Sequence, residues 1–552
     1  WERVGADLGL QFGPAALPLY FAVVLGGASA TLAGREVVLA DNCANCHGDE
    51  GFRQHGGSRR SLAVCLTCHV DGAEDAYSAT DASVTPGVTI SFRSMVHKIH
   101  QGEALESGFS VAGLPVDDGA EGYPDYNLND YSSVAFPSMP MAAADCDACH
   151  GGGDGSELSS PSRQACGSCH DGVSFTQTDR TASDYHRAGP LPDDSLCAFC
   201  HGAAAITASH DDPRTDADVW EAAGHAAGRT GIDVTVIEAV NQDGSASFAV
   251  GDEVTVTFSV LYDDGTPVPQ AFFAYSSASS TCPTVAGGGT MILTGPSDHM
   301  QRIAYSPSAS STTVVGSVYG SSSVDSATGV WTYTLSNTDG SAQTLPATYP
   351  LQANDSDSTL AGVPFGDRYG QARDAGTYRI ALALYTAMWD EWDCPDGATR
   401  YRAADTAYLD VLLGGASSLE PHAVVDEANC DDCHGTVEYH GGTRVSPDYC
   451  VMCHTPGSMD DETSPVDTVD FKNVVHKLHA SDRLDGGYTV GSDTWSFAFP
   501  RQDGGVAACA ACHAGNDAYR TPSTRAGLTC PASDDAAGHA AIMTDSTYGE
   551  TC

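Results

Sequence analysis

The sequence predicts two loop-rich modules of short helices separated by an antiparallel β-sandwich or small barrel. Three observations lead there. A cysteine pair followed directly by histidine occurs eight times, in two groups on either side of a cysteine-poor middle. The two groups share an order of motifs, so one unit has been duplicated. The middle alternates apolar and polar residues in short runs between Gly, Ser, Asp and Pro turns, which is the period of strands.

The motifs are Cys43/Cys46/His47, Cys65/Cys68/His69, Cys146/Cys149/His150, Cys166/Cys169/His170 and Cys197/Cys200/His201 in the first group. The second holds Cys430/Cys433/His434, Cys450/Cys453/His454 and Cys509/Cys512/His513. Each reads as a c-type haem attachment site. The thiols add to the haem vinyl groups, and the adjacent imidazole is the proximal iron ligand. Structural zinc also uses Cys-x-x-Cys, but with 20 His in 552 residues, histidine behind all eight pairs is no coincidence. The fold class is accordingly a multihaem cytochrome c with eight c-type haems. The stretches between motifs are long, rich in Gly and Asp and poor in periodic apolar residues. Loops of that length need porphyrins to supply the buried apolar surface.

In chain order, residues 1–34 are expected to be the terminal strand or strands of a truncated β-domain. Leu25-Gly26-Gly27-Ala28-Ser29 recurs as Leu413-Gly414-Gly415-Ala416-Ser417 ahead of the second module. The apolar stretch 14–30 is too short to span a bilayer and lacks the basic flank of a signal peptide. Residues 35–228 form a pentahaem module. Residues 229–418 form the β-domain, with strand-like runs at Asp233–Ile237, Val254–Val260, Trp331–Leu335 and Tyr378–Tyr385; Cys282 and Cys394, its only cysteines, are expected to pair.

Residues 419–552 form a trihaem module, a degenerate copy of the first. Val37 to Arg59 and Val424 to Arg444 both run Val-Val, Cys-x-x-Cys-His-Gly, His-Gly-Gly-x-Arg. FRSMVHKIH at 92–100 returns as FKNVVHKLH at 471–479, and Phe136-Pro137 and Phe499-Pro500 each precede another motif. Cys509 to Cys530 repeats the spacing of Cys146 to Cys166 within one residue, but Pro-Ala-Ser-Asp follows Cys530 and that haem is lost. Cys552 is expected either to pair with Cys530 or to open a further haem site.

Eight proximal histidines leave twelve others. In the first module His55, His97, His100 and His186, with either His210 or His225, would be distal ligands; in the second, His440, His476 and His479. His539 is a further candidate, whereas His299 and His422 read as structural or exposed. His97/His100 and His476/His479 stand at i and i+3, one face of a helix, so each pair can reach two neighbouring haems.

A net charge of −47, with only Lys98, Lys472 and Lys477 as lysines, excludes nucleic acid and anionic lipid as partners. Thiol attachment of haem occurs outside the cytoplasm, where the remaining cysteines can persist as disulfides, so export to the periplasm or beyond is required. Asp460-Asp461-Glu462 and Asn354-Asp355-Ser356-Asp357 offer oxygen ligands for calcium, but without EF-hand spacing they read as solvated acidic loops.

With these residues laid out, the chain resembles the OmcA/MtrC family of outer-membrane multihaem cytochromes. The resemblance rests on the paired haem modules, His-Gly-Gly-x-Arg, the HKIH helix, Phe-Pro before the third motif, and the intervening β-domain. It implies an extracellular position at the outer-membrane surface and electron transfer from a porin-cytochrome complex or other multihaem cytochromes to metal oxides, flavins or further cytochromes. Family members carry ten haems in two groups of five; here there are five and three. A second reading is a subunit of a polymeric cytochrome filament, the partner being another copy of the chain, with His225, His422 or His539 crossing the junction. A third is a nitrite- or hydroxylamine-type multihaem oxidoreductase. That chemistry needs an open or lysine-ligated iron, whereas every motif here ends in histidine with a distal candidate. The chain therefore reads as an electron-transfer protein and not an enzyme.

Overall fold

The computed structural model describes residues 36–513 apart from 49–53, 56–58, 76–86, 117–124, 223, 274–286, 306–317, 338, 351–367, 390–399, 422–423, 461–466 and 502–504. Several sequence expectations lie outside the described residues: the strand at 1–34, Cys282, Cys394, Cys530, Cys552, His422, His539, and the calcium candidates at 354–357 and 461–462. The chain divides into two compact units, residues 1–210 with 497–511, and residues 211–496 with 512–552.

The first unit has short helices and little sheet. Its longest described helix, Phe92–Gln101, is amphipathic. Met95 and Ile99 on one stripe pack against Leu105, Phe109 and Val111, a small cluster that also takes in Tyr131. A hairpin of β1 (Ser110–Val116) and β2 (Asp125–Asp130) flanks this cluster. Helices Ala40–His47, Leu62–Cys65, Asp147–His150, Arg163–Cys169 and Cys197–Cys200 each carry part or all of one Cys-x-x-Cys-His motif. Ala203–His210 ends on a candidate distal histidine.

The second unit is built on a β-sandwich. One sheet has the order β4-β11-β10-β6-β7, from Ser247–Phe248, Arg400–Leu413, Gly376–Trp389, Gly288–Gly295 and Gln301–Tyr305. The other is β3-β5-β9-β8, from Asp233–Val240, Thr255–Leu261, Val330–Thr334 and Ser323–Asp325. All neighbours are antiparallel except the short β11/β4 pair. Strand β5 reads TVTFSVL, and its Val256, Phe258 and Val260 are buried while the residues between are half-buried. That alternation sends one face inward. Trp331, Tyr333, Tyr378, Ile380, Leu382 and Leu384 meet it in a single apolar core.

Strand β6, GGTMILTG, was not foreseen. All eight of its residues are buried, so it lacks the alternation that marks a one-sided strand. Its inner side faces the sandwich core. Its outer side, through Ile292, joins Ala381, Ala383 and Met300 in a second cluster with Tyr449 and Met452 from the haem-motif segment.

Candidate haem sites

Each motif lies on or beside one or two helical turns, and in every case its histidine stands opposite another histidine. In the first unit the ring centres are 6.0 Å apart for His47/His100 and His55/His69, 6.2 Å for His97/His150, 6.1 Å for His170/His210 and 6.5 Å for His186/His201. In the second they are 6.1 Å apart for His434/His479 and His440/His454 and 6.3 Å for His476/His513. An imidazole nitrogen binds a metal at about 2 Å and lies about 1.1 Å from its own ring centre, so two rings clamping one iron stand roughly 6 Å apart. The spacing therefore fits an iron between each pair.

The helices that carry the i, i+3 histidines do so for two sites each. On Phe92–Gln101, His100 faces His47 while His97 faces His150. On Phe471–His479, His479 faces His434 while His476 faces His513. This second helix is capped by Asp470, whose carboxylate accepts from Lys472 N at 3.1 Å.

The tautomers are set by backbone. His69 Nδ1 donates to Ile90 O and His454 Nδ1 to Val469 O, both at 2.8 Å. His150 Nδ1 donates to Val37 O and His513 Nδ1 to Val424 O, both at 3.1 Å. On the distal side His100, His210 and His479 donate to the carbonyls of Val96, Ile206 and Val475 at 2.8–2.9 Å, one helical turn back. A proton held at Nδ1 leaves the Nε2 lone pair for a metal. Sequence alone gives no signal for the loop carbonyls, because any residue type supplies one. His47 Nδ1 donates to Pro500 O at 3.1 Å, within the first unit, so a residue from the second repeat supports the first motif.

Burial also keeps the rings neutral. Desolvation lowers the pKa of His47, His100, His440, His454, His476 and His479. At His97, burial, reinforced by His150, His100 and Arg93, takes it down to about 4. Neutral imidazole is the ligating form. His55 and His440, the histidines of His-Gly-Gly-x-Arg, both sit at left-handed φ, 53° and 55°. Such values are uncommon outside glycine and mark a backbone held for a purpose.

Of the two candidates for the remaining distal position, His210 stands opposite His170, as given above. His225 lies elsewhere. It is buried in the second unit, stacked on Phe272 with ring centres 3.7 Å apart and edge-on to Trp220, and its Nδ1 is 2.7 Å from the Tyr262 hydroxyl. Burial takes its pKa down to about 4. Between pH 6.5 and 4 the unfolded chain binds a proton there that the folded chain refuses, so this stability is present above pH 6.5 and is lost as pH falls, by up to roughly 3 kcal/mol. Calorimetry at pH 7 and pH 5 should show a Tm drop for the β-domain that His225→Phe reduces; an equal drop in the variant would refute the assignment. His299 lies between Asp298 and Asp374, 3.2 Å from each, as an ion-pair residue of the β-domain.

Cys46, Cys433 and Cys512 are half-buried. Cys433 and Cys512 lie close enough to Cys430 to raise its thiol pKa further. Cys512 O also accepts from Asn429 Nδ2 at 3.1 Å, as Cys149 O accepts from Asn42 Nδ2 at 2.9 Å, so one tie joins the first and third motifs of both repeats.

His201 is exposed, as is His170, whereas the other motif histidines are half-buried. Its ring faces His186 but makes no hydrogen bond among the described residues. The fifth motif is open on this side: Leu196 and Phe199 are 59% and 89% exposed, Cys200 is exposed, and Cys197 alone is buried. No described loop covers it. Of the other motif cysteines, Cys43, Cys65, Cys146, Cys149, Cys169, Cys430, Cys450 and Cys453 are half-buried, and Cys68, Cys166 and Cys509 are exposed.

Zinc fits these residues poorly. Among the described residues no group of three or more His, Cys, Asp or Glu side chains converges as a metal-ion site, which a tetrahedral centre requires.

Paired cysteines on short helices, opposed histidines and an antiparallel sandwich define a multihaem c-type cytochrome. A family model described as outer membrane cytochrome MtrC/MtrF-like, domains II/IV, matches residues 35–211 and 422–552, and the chain belongs to that family. Among solved structures it is similar to MtrC from Shewanella baltica OS185, at 18% identity and a TM-score of 0.44, over 82% of this chain and 62% of that one. It is also similar to the outer membrane decaheme cytochrome OmcA, at 19% identity and a TM-score of 0.49, over 88% of this chain and 62% of that one. The chain thus spans about 62% of the length of these two structures. Comparison with curated proteins finds no match. Among the described residues, no helix is long and apolar enough to cross a membrane.

Proposed function

We propose that this chain carries eight c-type haems, five in residues 35–228 and three in residues 419–552, with the β-domain of residues 229–418 between them. The eight motif histidines are the proximal ligands; His55, His97, His100, His186, His210, His440, His476 and His479 are the distal ones. The observation that carries this reading is the recurrence of one ring spacing, 6.0–6.5 Å, at all eight motifs.

When bound, the haems supply one-electron iron couples at potentials spread by their surroundings. The residues described above hold the buried imidazoles neutral, orient their Nε2 atoms and keep water from them. Two histidines per iron leave no coordination position for a substrate, so electrons pass by outer-sphere transfer and the protein is an electron carrier and not an enzyme. The family's outer-membrane assignment supports a cell-surface role. Electrons would enter from a porin-cytochrome complex or another multihaem cytochrome and leave to metal oxides, flavins or further cytochromes.

Anaerobically reduced protein is expected to deliver eight electron equivalents per chain to a soluble ferric chelate and to bind no carbon monoxide at its ferrous irons. Fewer equivalents would overturn the haem count. Stoichiometric carbon monoxide binding at any site would overturn the outer-sphere reading.

A further inference from the structure

We propose that Arg302, a residue of the β-sandwich, raises the reduction potential of the haem attached at Cys450 and Cys453, together with Arg444. The sandwich would then tune one haem of the chain in addition to separating two modules. This rests on the reading of Cys450/Cys453/His454 as a haem site with His440 opposite.

The segment from Tyr449 to Pro456 is fastened to the outer face of one sandwich sheet. Tyr449 and Met452 are buried with Ile292, Met300, Ala381 and Ala383, and Cys453 packs against that cluster. The Thr290 and Tyr449 hydroxyls hydrogen-bond, Thr294 Oγ1 donates to Met452 O at 3.3 Å, and Gln301 Nε2 donates to Pro456 O at 2.8 Å. Arg302 pairs with Thr294, whose hydroxyl faces Met452, and so shares that side of the sheet, and it is only 4% exposed. Arg444 lies over Tyr449, its guanidinium 5.7 Å from the ring centre. Arg302 thus lies on the sheet face that carries Met452 and Cys453, and Arg444 borders the same segment, so both cations sit beside the attachment point.

Anions face the same site. Glu427 accepts from Ser446 Oγ at 2.9 Å, and Asp470 caps the helix whose Phe471 N donates to His454 O at 3.0 Å. Asp410 and Asp448 are bound by Arg379. Arg302→Lys keeps the charge at this position while Arg302→Gln removes it, so the comparison of the two isolates the charge. A ferrous haem carries one positive charge fewer than a ferric one, and a buried cation nearby, weakly screened, favours the reduced form. The duplicate site in the first module has Arg59 in the place of Arg444, but there Thr67 and Cys68, in the places of Met452 and Cys453, are exposed, whereas Met452 is buried and Cys453 half-buried.

The test is a potentiometric titration followed by EPR on the full chain, comparing Arg302→Gln with Arg302→Lys. The His440/His454 planes are 24° apart, the smallest angle of the eight, so this site is expected to give the most rhombic of the low-spin signals, the one to follow. In Arg302→Gln that one signal is expected to titrate at a lower potential, with its reduced-to-oxidised ratio at fixed potential falling about tenfold, or about 59 mV. Arg302→Lys should keep the parent value. Arg444→Gln should move the same component and serves if Arg302→Gln does not fold. The surface variant Arg229→Gln should move none. An unchanged titration in folded Arg302→Gln, or a uniform shift of all components, overturns the proposal. Loss of one haem equivalent in the parent protein would instead overturn the haem reading beneath it.

Discussion

His479→Ala is expected to convert one iron in eight from low spin to high spin and to open that iron to carbon monoxide. His479 faces His434 at 6.1 Å and is oriented by its Nδ1 bond to Val475 O at 2.8 Å. Alanine removes the second imidazole, and no other described histidine faces His434 in its place. The remaining seven irons should keep their spectra, because His476 on the same helix serves a different motif. The helix should also survive, since alanine is the best helix former and Asp470 still caps it. His100→Ala is the matching experiment in the first repeat, at His47. Magnetic circular dichroism with carbon monoxide titration reads both. A fully low-spin spectrum in His479→Ala would remove His479 from the ligand set.

Arg379→Met is expected to destabilise the second unit by about 3–5 kcal/mol. Arg379 is 2% exposed and grips Asp410 through two bonds, Nε at 2.8 Å and Nη2 at 3.1 Å. Its Nη1 binds Asp448 on the Pro447–Cys450 helix, and its guanidinium stacks 3.7 Å from the Tyr408 ring centre. Methionine fills much of the space but leaves Asp410 without its cation. It also cuts the link between β10 and a haem-motif helix. A Tm fall of roughly 10 °C follows for a unit of this size. Arg379→Met combined with Asp410→Leu should recover much of the loss, since the cost is an uncompensated charge more than lost packing. A Tm within 2 °C of the parent for the single variant, taken as roughly the shift from 1 kcal/mol or less, would show that the pair contributes little.

The eight Cys-x-x-Cys-His motifs and the paired histidines of the two helices, whose rings the structure sets opposite other histidines, were legible because fixed spacings leave marks in sequence. The strands β3, β5, β9 and β10 were legible for a similar reason: one buried face writes a period of two. Strand β6 was not, because it is covered on both sides and its pattern is uniform. The openness around His201 was equally unmarked, since exposure of a motif depends on what packs over it and not on its own letters. The choice between His210 and His225 could not be read either. Both follow the fifth motif, and the difference lies in three aromatic residues, Trp220, Tyr262 and Phe272, two of them far along the chain, that enclose His225. The Arg379, Asp410 and Asp448 cluster is likewise invisible in sequence, since its members come from three distant segments and look like ordinary surface charges.

The duplication is clearer in geometry than in sequence. The first sites of the two repeats have imidazole planes 76° apart in both copies, the second sites 33° and 24°, the third sites 39° and 40°. In the first module the two further pairs stand at 76° and 48°. These angles have a spectroscopic consequence. Near-parallel imidazoles overlap one iron dπ orbital and split it from its partner, giving a rhombic signal; near-perpendicular ones overlap both and leave them nearly degenerate, giving an axial signal with one large g value.

Low-temperature EPR on protein of known iron content is the most direct test of the central claim. The account predicts eight low-spin irons per chain, three in the large-g class from His47/His100, His170/His210 and His434/His479, and five rhombic. A spectrum dominated by high-spin iron, or a covalent haem count well short of eight, would contradict it.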